Sequence, residues 1–180
     1  MSDEAKPKRK VSRLRYAISL AVLVIVLLVY AGFASGRIGN YEVISNSMLP
    51  TLRKGDRVLV DQRHNYVPAD GDVVALEDPE DTRGFLTKRI GALSGQTVEI
   101  SEGYLLVDGK EWAPPGASPV PVPPDRHLDA LTLEEDQVFV LGDNVQNSED
   151  SLAFGPVSAK SIKGKVLLIY WPPARMGRVR

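Results

Sequence analysis

Apolar positions follow two different patterns along the chain. From Tyr16 to Gly36 no residue is charged, and Leu20–Tyr30 is an almost continuous run of Leu, Val, Ile and Ala. About 20 such residues at 1.5 Å each match a hydrocarbon core of about 30 Å. A lone segment satisfies its backbone in lipid only as a helix. Beyond Arg37 the pattern changes to short alternating runs broken by turn residues, which predicts strands. These are Tyr41–Ser45, Arg57–Asp61, Asp72–Leu76, Phe85–Ile90, Thr97–Ile100, Tyr104–Val107, Gln137–Leu141 and Lys163–Trp171. Lys54-Gly55-Asp56, Asp70-Gly71-Asp72 and Asp108-Gly109-Lys110 mark turns between them. The only helical signal is a single turn at Ser158–Ile162. The expected class is mainly β, antiparallel and partly closed, behind one N-terminal transmembrane helix.

Charge orients this arrangement. Six basic residues (Lys6, Lys8, Arg9, Lys10, Arg13 and Arg15) precede the apolar span, against Asp3 and Glu4. Such a cluster holds the N-terminus in the cytoplasm and sends the rest outward. Gly32-Phe33-Ala34 has the small residues of a signal-peptide cleavage site. The apolar stretch, however, is longer than the roughly 7–15 residues of a signal h-region, which favours a retained anchor. The expected organisation is a cytoplasmic segment 1–15, an anchor 16–36 and an extracytoplasmic domain 37–180, single-pass in a plasma membrane. Past the basic cluster the chain is net acidic, with no basic patch to suggest nucleic acid. Cysteine is absent, and His64 and His127 are the only histidines, so neither a thiolate nor a zinc site is expected. Asp143–Asn147 resembles a calcium loop, but Val145 and Phe154 occupy ligand positions. No metal or cofactor is expected. Six prolines between Ala113 and Pro124 predict an exposed, polyproline-like loop.

Three stretches carry possible chemistry. If the strand Tyr41–Ser45 continues, Val43, Ser45 and Ser47 share a face until Pro50 stops it. Ser47 then sits at an exposed strand end with a second hydroxyl nearby. Taken alone, this stretch favours a plain polar strand end before a turn. In Phe85-Leu86-Thr87-Lys88-Arg89-Ile90, alternation groups Lys88 with Leu86 and Ile90 and sends Arg89 outward with Thr87. A lysine among aliphatics is desolvated, which lowers its pKa and makes it a competent base for a serine. A snorkelling lysine at a sheet edge is the alternative. The third stretch runs from the apolar strand Val138–Leu141 into Gly142-Asp143-Asn144 and on to Ser148, Asp150 and Ser151. Such a loop is an ordinary turn or a source of a hydroxyl that orients the lysine.

Together the stretches resemble the type I signal peptidases, Ser–Lys proteases that remove signal peptides from exported proteins. The boxes are Ser45-Asn46-Ser47-Met48-Leu49-Pro50-Thr51-Leu52, then Lys88-Arg89-Ile90-Gly91, then Gly142-Asp143-Asn144 with Asn147-Ser148 and Asp150-Ser151. The resemblance implies the β-fold shared with self-cleaving repressors, Ser47 as nucleophile and Lys88 as general base. It implies an oxyanion hole from the Ser45 hydroxyl and the Ser47 backbone N–H. Ser148 would orient Lys88, while Asp143 and Asp150 would support the loop. Ile44, Met48 and Leu86 would contact the substrate, an exported preprotein paired as an added strand.

The chain also departs from the family pattern. Ser94 and Gln96 stand where Pro and Asp are usual, and Val145, Gln146 and Leu152 replace arginine, aspartate and arginine. The lost arginines would take an ion partner from Asp150. A non-catalytic accessory protein on the same fold is therefore the second reading. A self-cleaving repressor needs a DNA-binding segment where this chain has a membrane helix.

Overall fold

The computed structural model describes residues 10–63, 65–79, 84–119 and 121–179. The chain divides into two compact units, Met1–Arg37 and Ile38–Arg180. His64 lies outside the described residues.

The first unit contains α1, Lys10–Ala34. Within it, Arg13–Ala34 is long and apolar enough to cross a membrane. Its Leu, Ile and Val side chains are exposed along the whole span. Gly36 ends the helix at φ +68°, a conformation that costs glycine little. There Arg37 N–H reaches Gly32 O (3.1 Å) and Gly36 N–H reaches Phe33 O (3.0 Å), closing the last carbonyls as a Schellman motif.

The second unit is antiparallel throughout. In chain order its strands are β1 (Ile38–Glu42), β2 (Arg57–Asp61), β3 (Val73–Glu77), β4 (Phe85–Leu93), β5 (Thr97–Ser101) and β6 (Tyr104–Val107). There follow β7 (Lys110–Glu111), β8 (Leu131–Thr132), β9 (Gln137–Leu141), β10 (Val157–Ser158), β11 (Ile162–Trp171) and β12 (Gly177–Arg178). A short helix, α2, covers Ser151–Phe154. One sheet has the order β1-β2-β11-β3-β4-β9-β10 with β12 added on β11; the other is β7-β6-β5-β8. This is the mainly β, antiparallel class expected from the alternation.

The strands form where β-branched and aliphatic residues alternate or run together. β2 (Arg-Val-Leu-Val-Asp) buries Val58 and Val60 fully. They join Val43, Met48, Leu52 and Val166 in one core cluster under the serine segment. A second cluster, around Val98, Leu105, Phe139 and Leu141, joins residues of both sheets. The third, around Val74, Leu76, Ile90, Val138 and Val140, backs the lysine strand.

Three expectations are corrected. β1 ends at Glu42, so Ser45 and Ser47 lie in a loop rather than on a continuing strand. The cause is local: Val43 N–H donates to Asp56 O and Val43 O accepts from Gly55 N–H, both 2.8 Å, which turns the chain across the Lys54–Asp56 bend. The proline-rich loop is not wholly exposed. Pro114 and Val122 are buried, and Val122 N–H bonds Gly103 O at 2.9 Å while its side chain enters the second core cluster. The single turn at Ala159–Ser161 has a helical companion in α2, four residues capped by Asp150 and too short to show periodicity in sequence.

Candidate active site

β4 places Lys88 between β3 and the loop after β9. In the β3 ladder Lys88 stands opposite Val74, with Leu86 and Ile90 on either side along its own face. Its side chain is only 2% exposed. Burial holds the amine below the ordinary lysine value, and the carboxylates of Asp150, Glu149 and Asp78 pull the other way without overcoming it. Lys88 Nζ donates to Ser148 Oγ at 2.9 Å. Ser47 is 7% exposed, and its Oγ lies 3.1 Å from Ser45 Oγ. Ser45, Ser47, Lys88 and Ser148 line one cavity of about 450 Å³. Among the described residues no hydrogen bond joins Ser47 directly to Lys88.

The serine loop and the loop after β9 are in backbone contact. Asn144 N–H donates to Ser47 O at 2.9 Å, and Asn144 Nδ2 donates to Asn46 O at 3.1 Å. Gly142 permits this approach, since a Cβ there would lie 2.3 Å from Ser148 Oγ and 2.5 Å from Ser47 O.

A buried ion pair fixes the three stretches together. Arg89 Nε and Nη2 each donate to Asp143 at 2.7 Å, and Arg89 Nη1 donates to Gly71 O at 2.6 Å. Thr51 Oγ1, from the serine loop, donates to the same carboxylate. Arg89 was expected to face outward, yet it is 1% exposed. β4 is covered on both faces from Lys88 to Ala92, so alternation there separates two interiors rather than inside from outside. Asp150 also has different partners from those expected. It accepts from Gly142 N–H (2.9 Å) and Leu152 N–H (3.1 Å), so backbone donors serve it without the missing arginines. Farther along, Arg175 clamps Asp56 through Nε and Nη2 and donates to Thr51 O at 3.0 Å. Burial raises the Asp56 carboxyl, but the Arg175 guanidinium and the Arg53 N–H outweigh it, leaving the pKa below the ordinary value.

Residues 13–171 match the family described as signal peptidase, peptidase S26. The chain belongs to the signal peptidase family. This peptidase is 37% identical over 144 residues to a probable signal peptidase I-1 of Synechocystis sp., covering 75% of this chain and 72% of that one. It is similar to a probable thylakoidal processing peptidase 2 of Arabidopsis thaliana, 35% identical across 77% of this chain and 39% of that protein. It is also similar to a mitochondrial ATP-independent inner membrane protease subunit 1a of Arabidopsis thaliana, 36% identical across 79% of this chain and 76% of that one. Family membership makes it a serine endopeptidase.

In the peptidase a smaller cavity, about 90 Å³, lies against Ser45 and Ser47 and is lined by Ile44, Met48 and Leu86. Met48 forms a buried wall, whereas Ile44 is exposed. β1 is at the end of its sheet. β4 pairs with β9 only from Arg89 onward, so Phe85–Lys88 have a ladder partner on the β3 side alone. Two strand edges therefore flank this cavity. The sequence places Thr51, Arg89 and Gly142 within the three boxes but assigns none of them a role. The unbroken small and apolar run Ile90–Leu93 after Arg89 was the available signal that both faces of β4 are buried.

Proposed function

We propose that the chain is a membrane-anchored endopeptidase that removes N-terminal signal peptides from exported preproteins through a Ser47–Lys88 dyad. The observation that carries this reading is the buried Lys88 amine, held by Ser148 in the cavity that also contains Ser47. Burial lowers the Lys88 pKa, which favours the free amine as the base that accepts the Ser47 hydroxyl proton as Oγ attacks the scissile carbonyl. The oxyanion that develops is received by the Ser45 hydroxyl and the Ser47 backbone N–H. Collapse of this intermediate breaks the peptide bond, and the Lys88 ammonium protonates the departing amine. Water then cleaves the acyl-enzyme with Lys88 again as base. Ser148 orients Lys88, while Asp143 and Asp150 hold the loop that supplies Ser148.

Substrate enters as an added strand between residues 42–45 and Phe85–Thr87, where the strand edges lack ladder partners. Alternate side chains then point at the small cavity, favouring small residues at the first and third positions before the cut. The organisation is a cytoplasmic segment 1–15, an anchor 16–36 and an extracytoplasmic domain 37–180 in a plasma membrane. One experiment tests the reading. The purified full chain in detergent cuts a labelled preprotein after a small residue, Ser47→Ala does not, and a tryptophan before the cut blocks the wild type. Undiminished cleavage by Ser47→Ala removes the dyad, and unaffected cleavage of the tryptophan substrate removes the specificity.

A further inference from the structure

One wall of the larger cavity comes from outside the loop and strand that carry Ser47 and Lys88. Gln146 Nε2 donates to Pro121 O at 2.5 Å, tying the loop after β9 to the proline-rich segment. Past that tie, Arg126 lines the cavity opened by Ser47 and Lys88. Arg126 is partly buried and its Nη1 makes a long contact of 3.5 Å with Leu152 O. A guanidinium brings five donors, and among the described residues no carboxylate lies within ion-pair distance of Arg126. Glu149 lines the same cavity but is exposed. A partly desolvated arginine attached to a loop backbone is the stronger reader of charge, because its fork binds a carboxylate through two parallel bonds.

Ser47 borders both cavities. With the chain before the cut in the small cavity, the chain after the cut passes Ser47 into the larger one. We infer that Arg126 is a specificity residue for the leaving side of the substrate, favouring an acidic residue within the first few positions after the cut. The inference rests on the endopeptidase reading above and adds a determinant on the side opposite the small-residue pocket.

The test uses the full chain in detergent and preproteins that differ only in carrying Asp, Asn or Lys at one of the first three positions after the cut. At one or more of these positions the expected kcat/KM ratio of Asp to Lys substrates is about fivefold at low salt, shrinking as salt rises. Arg126→Gln should bring that ratio close to one, Arg126→Glu should invert it, and Arg126→Lys should keep its direction. Because the ratio compares two substrates on one enzyme, a partly misfolded variant lowers both terms alike. If Arg126→Gln yields no folded protein, the wild-type ratio, its salt dependence and Arg126→Lys still decide. A wild-type ratio near one at all three positions, a preference for Lys, or an unchanged ratio in Arg126→Gln overturns the inference. Those results leave cleavage itself intact, whereas loss of the endopeptidase reading shows as cleavage that survives Ser47→Ala.

Discussion

Lys88 is charged in the unfolded chain and poorly hydrated in the folded one, and that difference sets both its chemistry and its energetic cost. Its ordinary pKa is 10.5, and burial lowers it. Cleavage should therefore rise with pH through a value below 10.5 and level off above it. Lys88→Met should lower kcat/KM by about 10²–10⁴ while keeping the fold, since methionine fills a similar volume without a charge. The sign for stability follows from proton counts. Between the depressed folded pKa and the unfolded value the unfolded chain binds more protons, so stability rises with pH across that window. Below the folded pKa the contribution is constant and at its least favourable. Lys88→Met removes this slope, so the stability gap between variant and wild type should narrow as pH rises. Denaturant unfolding at several pH values in the same detergent measures it. Parallel pH curves for the two proteins, or near wild-type cleavage by Lys88→Met, would assign the base to another group.

At the scale of elements, β4 and the loop after β9 are joined by Arg89 and Asp143, side chains that are 1% and 0% exposed. Removing one partner leaves a buried charge without compensation, a cost of about 3–5 kcal/mol. Arg89→Met should lower stability by that amount and reduce activity, because Asp143 also holds Thr51 of the serine loop. Combining it with Asp143→Leu should recover much of the stability without restoring the activity. A double-mutant cycle read by unfolding and by kcat/KM checks both parts; simple additivity of the stability losses would show that the pair is not coupled. This pair also shows what the sequence could and could not reveal. β2, β6 and β9 were legible to the residue because turn residues bound their apolar runs. Arg89 was not, because its partner lies 54 positions away and a local pattern reads a charge as exposed. The serine loop departs from β1 through backbone bonds to the Lys54–Asp56 turn, which no side-chain alternation encodes. Strands of two residues, such as β7 and β12, have no period to read. Lys88 was legible because Leu86 and Ile90 flank it on one face; the loop after β9 was legible as a source of an orienting hydroxyl, and the family resemblance singled out Ser148 within it.

Across the whole molecule, the charge on either side of α1 carries a signal for orientation. Six basic residues precede the uncharged span, while Arg37 is the only basic residue from there to Leu52. Basic residues close to a span are retained on the cytoplasmic side, acidic ones contribute little, and long following domains are carried across largely regardless of charge. Asp3 and Glu4 therefore do not offset the cluster, and the net acidic segment after Arg37 gives no opposing signal. The apolar side chains exposed along Arg13–Ala34 are costly in water and favourable in hydrocarbon. The expected outcome is one pass with the N-terminus inside. In intact spheroplasts expressing the chain with an N-terminal epitope, external proteinase should degrade residues 37–180 and leave the epitope on a protected fragment of the anchor's size. Replacing the six basic residues with glutamine and placing several lysines directly after Arg37 should weaken or reverse this protection, since that exchange moves the retention signal across the span. A protected C-terminal domain in the unaltered chain would put Ser47 and Lys88 on the side where preproteins are made, and the orientation would be wrong.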